Sequence, residues 1–226
     1  MSKIESFNTI FAKAEEQKGG YEELITALPA LISDAELMRF SDALYLEKLT
    51  RCIFVSGFSG QVIRSKWDGF MEVFHEFDLK KLSELEDEDW QAMSEDTRII
   101  RNKRKIQAVR DNTKMVRELS NQHNGFGKFI VSWGAQDQIG LMKFLNTKGN
   151  QIGDNTAQYF LRYIGIDGFI ISKDVSLAAI EAGVDIKPKP TSQKEKQALQ
   201  DAFNFWHEES QMPYTHISKV LAFSRG

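Results

Sequence analysis

Apolar residues recur at helical spacing along almost the whole of this chain, and strand-like alternation is scarce. The first apolar stripe is formed by Phe7, Ile10, Phe11 and Ala14. The longest helical pattern runs from Ile99 to Leu119. A repeat of about 3.6 residues places such side chains on one helix face, which must be buried against other helices. We therefore predict an all-α fold.

The composition limits the class of protein. The 226 residues, of which 42% are apolar, can bury one good core or two small lobes that share a cleft. Cys52 is the only cysteine, which excludes a disulfide framework, a four-cysteine zinc site and a cysteine-ligated iron–sulfur cluster. The N-terminus lacks an apolar signal core, and no apolar run approaches the roughly 18 residues that span a bilayer. We expect a soluble, cytoplasmic protein.

The charge of the chain points to a local basic patch. A net charge of −3 argues against binding to nucleic acid through bulk charge. Basic residues nevertheless crowd the first half of the longest helical pattern: Arg101, Lys103, Arg104, Lys105 and Arg110. Such a run is usually a solvated helix face. The alternative is that it neutralises the phosphates of a nucleic acid.

A tight connection joins two helical patterns in the second half of the chain. These patterns predict helices over Gln138–Thr147 and Asn155–Tyr163, so the unit covers about residues 138–164. Gly149 and Gly153 bracket one hydrophobic residue between them. This arrangement allows backbone N–H groups at the start of the second helix to point outward, where phosphate oxygens are favoured.

The same connection has an ordinary structural interpretation. Gly149 is then a C′ cap, and Asp154 or Asn155 is an N-cap between two antiparallel helices. The acidic Asp154 is also unfavourable beside a phosphate, unless its side chain turns away or holds a bridging cation.

A lone carboxylate follows this pair of helices and its connection, which we call the hairpin, about twenty residues after the connection. Asp174 precedes an apolar helical run, Val175–Ala182, and the usual role of an Asp in that position is the N-cap. A catalytic carboxylate is the alternative.

Two helical patterns, Gln193–Glu209 and Thr215–Phe223, close the chain over about residues 193–223 after an extended Lys-Pro-Lys-Pro linker. His207 and His216 lie in these patterns. We expect structural or surface histidines there rather than ligands.

Two segments resemble a known family. Asp96 to Arg101, continued by Lys105 to Val109 and Asn112, resembles the D-x-x-I-I-R-x-x-x-K-I-Q-A signature of the type I DNA-3-methyladenine glycosylases. Phe74 to Asp78 resembles the F-H-x-F-D turn of the same enzymes.

The hairpin is similar to that of the wider helix-hairpin-helix glycosylase superfamily. In that superfamily a pattern like G-x-G-x-x-T-A precedes a helix, and a catalytic Asp follows it. Gln151 to Ala157 matches this pattern with Gln in place of the first glycine. The two similarities together cover roughly residues 40–175.

The resemblance implies a helix-hairpin-helix glycosylase fold, with residues 1–226 forming one unit of two lobes around a cleft. Such an enzyme kinks double-stranded DNA, flips one damaged nucleotide out of the stack and hydrolyses its N-glycosidic bond. An alkylated purine such as 3-methyladenine is already a cationic leaving group in DNA. One carboxylate is then enough to stabilise an oxocarbenium-like sugar and to orient water, and Asp174 is the candidate. We expect no cofactor, a nucleoid-associated monomer and no membrane partner.

The candidate DNA-contacting residues follow from the hairpin and the basic cluster. They are Lys148, Gly149, Gln151, Gly153, Asn155, Thr156, Arg101, Lys103, Arg104 and Lys105.

The chain departs from the type I pattern at the base pocket and at the metal. The base-recognising Glu of those enzymes aligns with Cys52 and their pocket Trp with Gly60; with Ser56 these positions share a helix face that is small and nearly uncharged here. We expect a pocket that is roomier, or displaced toward aromatic residues that otherwise belong to the core. The candidate pocket residues are Cys52, Ser56, Phe54, Phe58, Gly60 and Trp67. The zinc site of the type I enzymes needs cysteines that are absent here, so we predict no metal.

Asn155 occupies the position at which bifunctional relatives carry a Schiff-base lysine. An amide cannot form that imine, so we predict a monofunctional glycosylase, with Lys173 as the only nearby amine. Two other hypotheses remain open: a non-catalytic protein that binds DNA lesions or DNA structures, and a helical interaction protein without a DNA role.

Overall fold

The structure is a computed structural model that describes residues 4–226, and within this range all regular secondary structure is helical. The predicted all-α class is therefore confirmed. In chain order the α-helices are α1 Phe7–Lys18, α2 Tyr21–Thr26, α3 Asp34–Leu37, α4 Asp42–Val55, α5 Gly60–Ser65, α6 Trp67–Val73, α7 Leu79–Glu84, α8 Asp87–Glu95, α9 Lys103–His123, α10 Phe126–Ser132, α11 Gln138–Lys148, α12 Asp154–Ile164, α13 Lys173–Glu181, α14 Gln193–Ser210 and α15 Tyr214–Phe223. Two short 3-10 helices lie at His75–Phe77 and Ala135–Asp137.

The chain forms two compact units. The central unit comprises residues 33–132 and 141–164, so it holds most of the hairpin region and the basic helix. The terminal unit comprises the residues up to Ile32, residues 133–140 and residues 165–226.

The central unit is built around α9, which packs on α4, α7, α8 and α10. Its core contains Phe54, whose ring lies 4.7 Å from that of Phe70 in an edge-on arrangement. Helix α9 begins at Lys103, four residues after the predicted start, because Asn102 is extended and its side chain accepts a hydrogen bond from the Lys105 N–H at 3.1 Å. The basic residues therefore occupy the first turns of this helix.

The F-H-x-F-D segment forms a left-handed turn without glycine. His75, Glu76 and Phe77 have φ values of 50°, 56° and 59°. Such values are rare for residues with a Cβ atom. The turn delivers Asp78 to the start of α7, where its carboxylate accepts hydrogen bonds from the N–H groups of Lys80 and Lys81 at 2.9 and 3.0 Å.

The terminal unit packs α1 against α14 and α15. Trp206 is fully buried, and its indole N–H donates to the carbonyl oxygen of Glu5 at 3.0 Å. The closing helices agree with the predicted ranges to within one residue. His207 and His216 each contact a backbone carbonyl oxygen, at 2.8 and 2.9 Å, which agrees with structural roles. No helix within residues 4–226 is long and apolar enough to cross a membrane.

Candidate active site

The connection between α11 and α12 consists of residues 149–153. A Cβ atom on Gly149 would overlap the Ile152 side chain and lie 2.9 Å from the carbonyl oxygen of Leu145. Ile152 is only 4% exposed. Gly149 is therefore required because Ile152 packs directly over it. Gln151 supplies the left-handed residue of the turn, with a φ of 59°.

The start of α12 faces solvent. Gly153 is exposed, has no heavy atom within 4 Å of the place where a Cβ would lie, and accepts a hydrogen bond from the Ala157 N–H at 2.8 Å. Asp154 directs its carboxylate back to α11, where it accepts from the Asn146 amide at 2.8 Å. Because the acidic side chain turns aside, the positive end of the helix dipole stays accessible to an anion.

The long basic helix holds the hairpin through Asn112. This residue is completely buried. Its amide nitrogen donates to the Asn150 carbonyl oxygen at 3.0 Å, and its amide oxygen accepts from the Asn150 N–H at 2.9 Å. Asp111 accepts from the Asn150 side chain at 2.7 Å. Asn112 belongs to the family signature, but the sequence alone led us to no role for it. Its polar side chain on the buried face of an amphipathic helix was the feature that could have indicated a buried hydrogen-bonding role.

A cavity of about 570 Å³ lies between α4 and α12 within the central unit. It is lined by Arg51, Cys52, Val55, Ser56, Asn155, Thr156, Tyr159, Arg162 and Tyr163. Two predicted pocket residues, Cys52 and Ser56, thus share this cavity with the hairpin residues Asn155 and Thr156. Tyr159 and Tyr163 were not among the residues predicted from the sequence.

The described lining residues of this cavity include no carboxylate. Burial raises the pKa of the Cys52 thiol to about 12, so the thiol is neutral at physiological pH. Arg51 donates a hydrogen bond to the Tyr163 hydroxyl at 2.8 Å, and its guanidinium lies 5.6 Å from the Tyr163 ring centroid. The ammonium of Lys48 lies 4.3 Å from the same centroid. Tyr163 is therefore held in place by two cations.

The other candidate pocket residues do not line the cavity. Phe54 has no exposed surface, and Trp67 stacks on Phe70 at 5.0 Å while its N–H donates to Glu47 at 3.0 Å. Both aromatics are packing residues, which corrects the expectation of a pocket displaced toward them. Phe58 and Gly60 are partly exposed outside the cavity.

Lys105 is the exception among the four basic α9-region residues predicted to contact DNA. It is only 9% exposed, and its ammonium donates to the carbonyl oxygen of Ile53 and to the Ser56 hydroxyl, the latter at 3.1 Å. Burial lowers the pKa of this amine. Lys105 thus caps the C-terminal end of α4, which corrects its assignment as a phosphate contact. Arg101, Lys103 and Arg104 are exposed.

Asp174 is the second residue of α13 in the terminal unit, and it is exposed. It is not the N-cap: Ser172 has that role, and its hydroxyl accepts from the Val175 N–H at 3.2 Å. Within residues 4–226 the Asp174 carboxylate makes no hydrogen bond or ion pair. N-capping of α13 therefore does not account for an aspartate at this position.

The sequence model of the methyladenine glycosylase family matches residues 37–158, which is more than half of the chain. This chain belongs to the methyladenine glycosylase family. The matched region contains α4, α9, the hairpin and the first turn of α12. No curated protein matches the chain.

Three solved structures share the fold. A 3-methyladenine DNA glycosylase I is 19% identical, with a TM-score of 0.51, over 64% of this chain and 87% of that one. A point mutant of 3-methyladenine DNA glycosylase I from Staphylococcus aureus is 15% identical, with a TM-score of 0.51, over 85% of this chain and 100% of that one. An 8-oxoguanine glycosylase/lyase from Methanocaldococcus jannaschii, in complex with DNA containing 8-oxoguanine, is 16% identical, with a TM-score of 0.52, over 96% of this chain and 97% of that one.

These findings confirm the suspected family, the helix-hairpin-helix glycosylase fold and the assignment to the DNA glycosylase class of enzymes. Among the described residues, no three His, Cys, Asp or Glu side chains are grouped so that they could hold a metal ion. The residues present therefore do not fit the zinc site of the type I enzymes.

Proposed function

We propose that this protein is a monofunctional DNA glycosylase that hydrolyses the N-glycosidic bond of a flipped alkylated purine, with 3-methyladenine as the reference substrate. The observation that carries this proposal is the cavity beside the hairpin. It combines the neutral Cys52 and Ser56 with Asn155 and Thr156 from the first turn of α12. Its volume of about 570 Å³ lies within the range of small-molecule sites.

The hairpin and the exposed basic residues supply the contacts to the DNA backbone. The open start of α12 at Gly153 and Asn155 suits one phosphate group. Lys148, the last residue of α11, and Gln151 of the connection are also exposed. The exposed residues Arg101, Lys103 and Arg104 neutralise further phosphates. These contacts orient the duplex, and they precede any recognition of the base.

Asp174 is the proposed catalytic carboxylate. An alkylated purine with a positive charge leaves readily, so the sugar develops oxocarbenium character as the C1′–N bond breaks and the electron pair goes to the base. The carboxylate stabilises that charge and accepts a proton as water adds to C1′. The products are a free base and an abasic site. Because Asn155 has no nucleophilic amine, water is the attacking group.

The test is base release from methylated duplex DNA by the wild type, Asp174→Asn and a control, Asp185→Asn, which removes an exposed carboxylate from the same unit. We expect Asp174→Asn to lower the rate by at least about a hundredfold, without loss of affinity for an abasic-site duplex. The control should keep the wild-type rate. Equal rates in all three proteins would remove Asp174 from the mechanism.

A second candidate function is non-catalytic binding of DNA lesions. The absence of a carboxylate from the described cavity residues, with Cys52 where the resemblance places a recognition Glu, favours it. This candidate predicts tight binding to an abasic-site duplex with no base release by the wild type.

A further inference from the structure

The face of α12 that lines the cavity carries two tyrosines that are exposed to solvent. Asn155, Tyr159 and Tyr163 are spaced by four residues, so they share one helix face. The opposite face of α12 is buried, as Phe160 and Leu161 show with 0 and 1% exposure. Tyr159 and Tyr163 are 54 and 41% exposed. The two tyrosines therefore contribute little to the core.

The two tyrosines differ in how they are held. Tyr163 is fixed by the hydrogen bond from Arg51 and by the ammonium of Lys48 near its ring. Tyr159 makes no hydrogen bond, ring contact or cation–π contact with any residue in the range 4–226. Tyr163 is thus held in place by its neighbours, whereas the half-exposed ring of Tyr159 has no aromatic or cationic partner within residues 4–226.

The surroundings of Tyr159 indicate the chemical class of ligand that fits the cavity. It lies one helical turn after Asn155, which begins the cavity at the hairpin, and Cys52 and Ser56 line the same cavity from α4. A flat aromatic ring fits a site that combines a half-exposed tyrosine, neutral polar groups and the guanidinium groups of Arg51 and Arg162. Val55, 43% exposed, adds an apolar contact on the α4 side.

We propose that Tyr159 is the stacking residue for the flipped purine. This inference rests on the proposed glycosylase function. Where the resemblance expects a pocket Trp, this chain has Gly60, which does not line the cavity. The aromatic contact is supplied instead by the helix that follows the hairpin.

The test uses two variants and one control. Tyr159→Phe keeps the ring, Tyr159→Leu removes it, and Tyr21→Leu removes a tyrosine that is 53% exposed in the terminal unit. The first readout is single-turnover base release from methylated duplex DNA as a function of enzyme concentration. The second is affinity for a duplex that contains 3-deaza-3-methyladenine, a stable analogue, relative to affinity for an abasic-site duplex.

We expect Tyr159→Leu to raise the half-saturating concentration about tenfold and to weaken binding of the analogue to a similar degree. Its affinity for the abasic-site duplex and its Tm should not change, because that duplex has no base to stack and the side chain is exposed. Tyr159→Phe and Tyr21→Leu should behave as the wild type.

Wild-type behaviour of Tyr159→Leu in both readouts overturns the stacking role, as does an equal loss for the abasic-site duplex. Equal losses in Tyr159→Phe and Tyr159→Leu would also overturn it, since the hydroxyl rather than the ring would then matter. If the wild type releases no base but binds the analogue in a ring-dependent manner, the catalytic proposal fails and the stacking role stands. If the wild type does not prefer the analogue to the abasic site, the stacking role fails.

Discussion

Gly149 and Gly153 bracket the same short connection, but they have opposite surroundings. Gly149 lies under Ile152 and beside the carbonyl oxygen of Leu145, whereas Gly153 has open space where a side chain would begin. The first glycine thus serves packing. The second leaves room for a ligand at the start of α12.

This difference predicts separate effects of two alanine substitutions. Gly149→Ala should lower the free energy of unfolding by about 1–3 kcal/mol, because its Cβ overpacks the hairpin. Gly153→Ala should change stability by less than about 1 kcal/mol, but should weaken DNA binding because its Cβ stands between the helix end and a phosphate. Denaturant unfolding and affinity for an abasic-site duplex measure the two effects. The reverse pattern would show that the phosphate does not bind at Gly153.

Individual side chains show what the sequence can indicate. Cys52 was assigned to the pocket because it aligns with the recognition Glu of the resembling family, and Ser56 because a spacing of four places it on the same helix face; both line the cavity. The same argument applied from Asn155 would have found Tyr159. Lys105 was misassigned, because a basic residue among other basic residues gives no indication that its ammonium lies buried at the end of another helix.

Helix boundaries depend on capping side chains rather than on periodicity. Asn102 starts α9 four residues later than the apolar pattern suggests, and Ser172 caps α13 two residues before Asp174. Both Ser and Asp are good N-caps, so periodicity alone does not choose between them. The choice matters here, because it leaves the carboxylate of Asp174 without a structural partner in residues 4–226.

The start of α14 has a reciprocal cap that makes stability depend on pH. The Ser192 hydroxyl accepts from the Glu195 N–H at 3.2 Å, and the Glu195 carboxylate accepts from the Ser192 hydroxyl at 2.7 Å and from its N–H at 3.1 Å. These bonds lower the pKa of Glu195 from 4.5 to about 2. The ionised form therefore stabilises the helix above about pH 4.5.

We expect Glu195→Gln to have a lower Tm than the wild type at pH 7. The difference should shrink as pH falls below about 4.5 toward 2, because the wild type then loses its ionised cap. Thermal unfolding followed by circular dichroism across this range measures it. Glu208→Gln, an exposed change on the same helix, should show no such trend, and a Tm difference for Glu195→Gln that persists at acid pH would argue against the cap.

The whole molecule carries a net charge of −3, so the proposed DNA contacts depend on local groups, namely the hairpin and the exposed basic residues at the start of α9. The all-helical class and the family followed from periodicity and from the α9 signature. The resemblance implied two lobes, but the residue ranges of the two units could not be predicted, because the terminal unit combines three separate stretches of chain with no linker composition between them.

The local nature of the charge predicts a measurable salt effect. Each phosphate contact contributes about 0.9 to the slope of log affinity against log salt concentration. The double variant Lys103→Gln, Arg104→Gln should therefore lower the magnitude of the slope by roughly 2. Lys80→Gln, Lys81→Gln removes two exposed lysines from α7 and should leave the slope unchanged. An unchanged slope in both double variants would show that Lys103 and Arg104 do not contact phosphates.

The bonds from Asn112 to the hairpin end on the backbone N–H and carbonyl oxygen of residue 150, not on its side chain. Any non-proline residue at position 150 can accept and donate in the same way, whereas no apolar residue at position 112 can. These two bonds therefore tolerate substitution at position 150 but not at position 112. The backbone of the hairpin is thus fixed in part by a side chain that lies outside the hairpin.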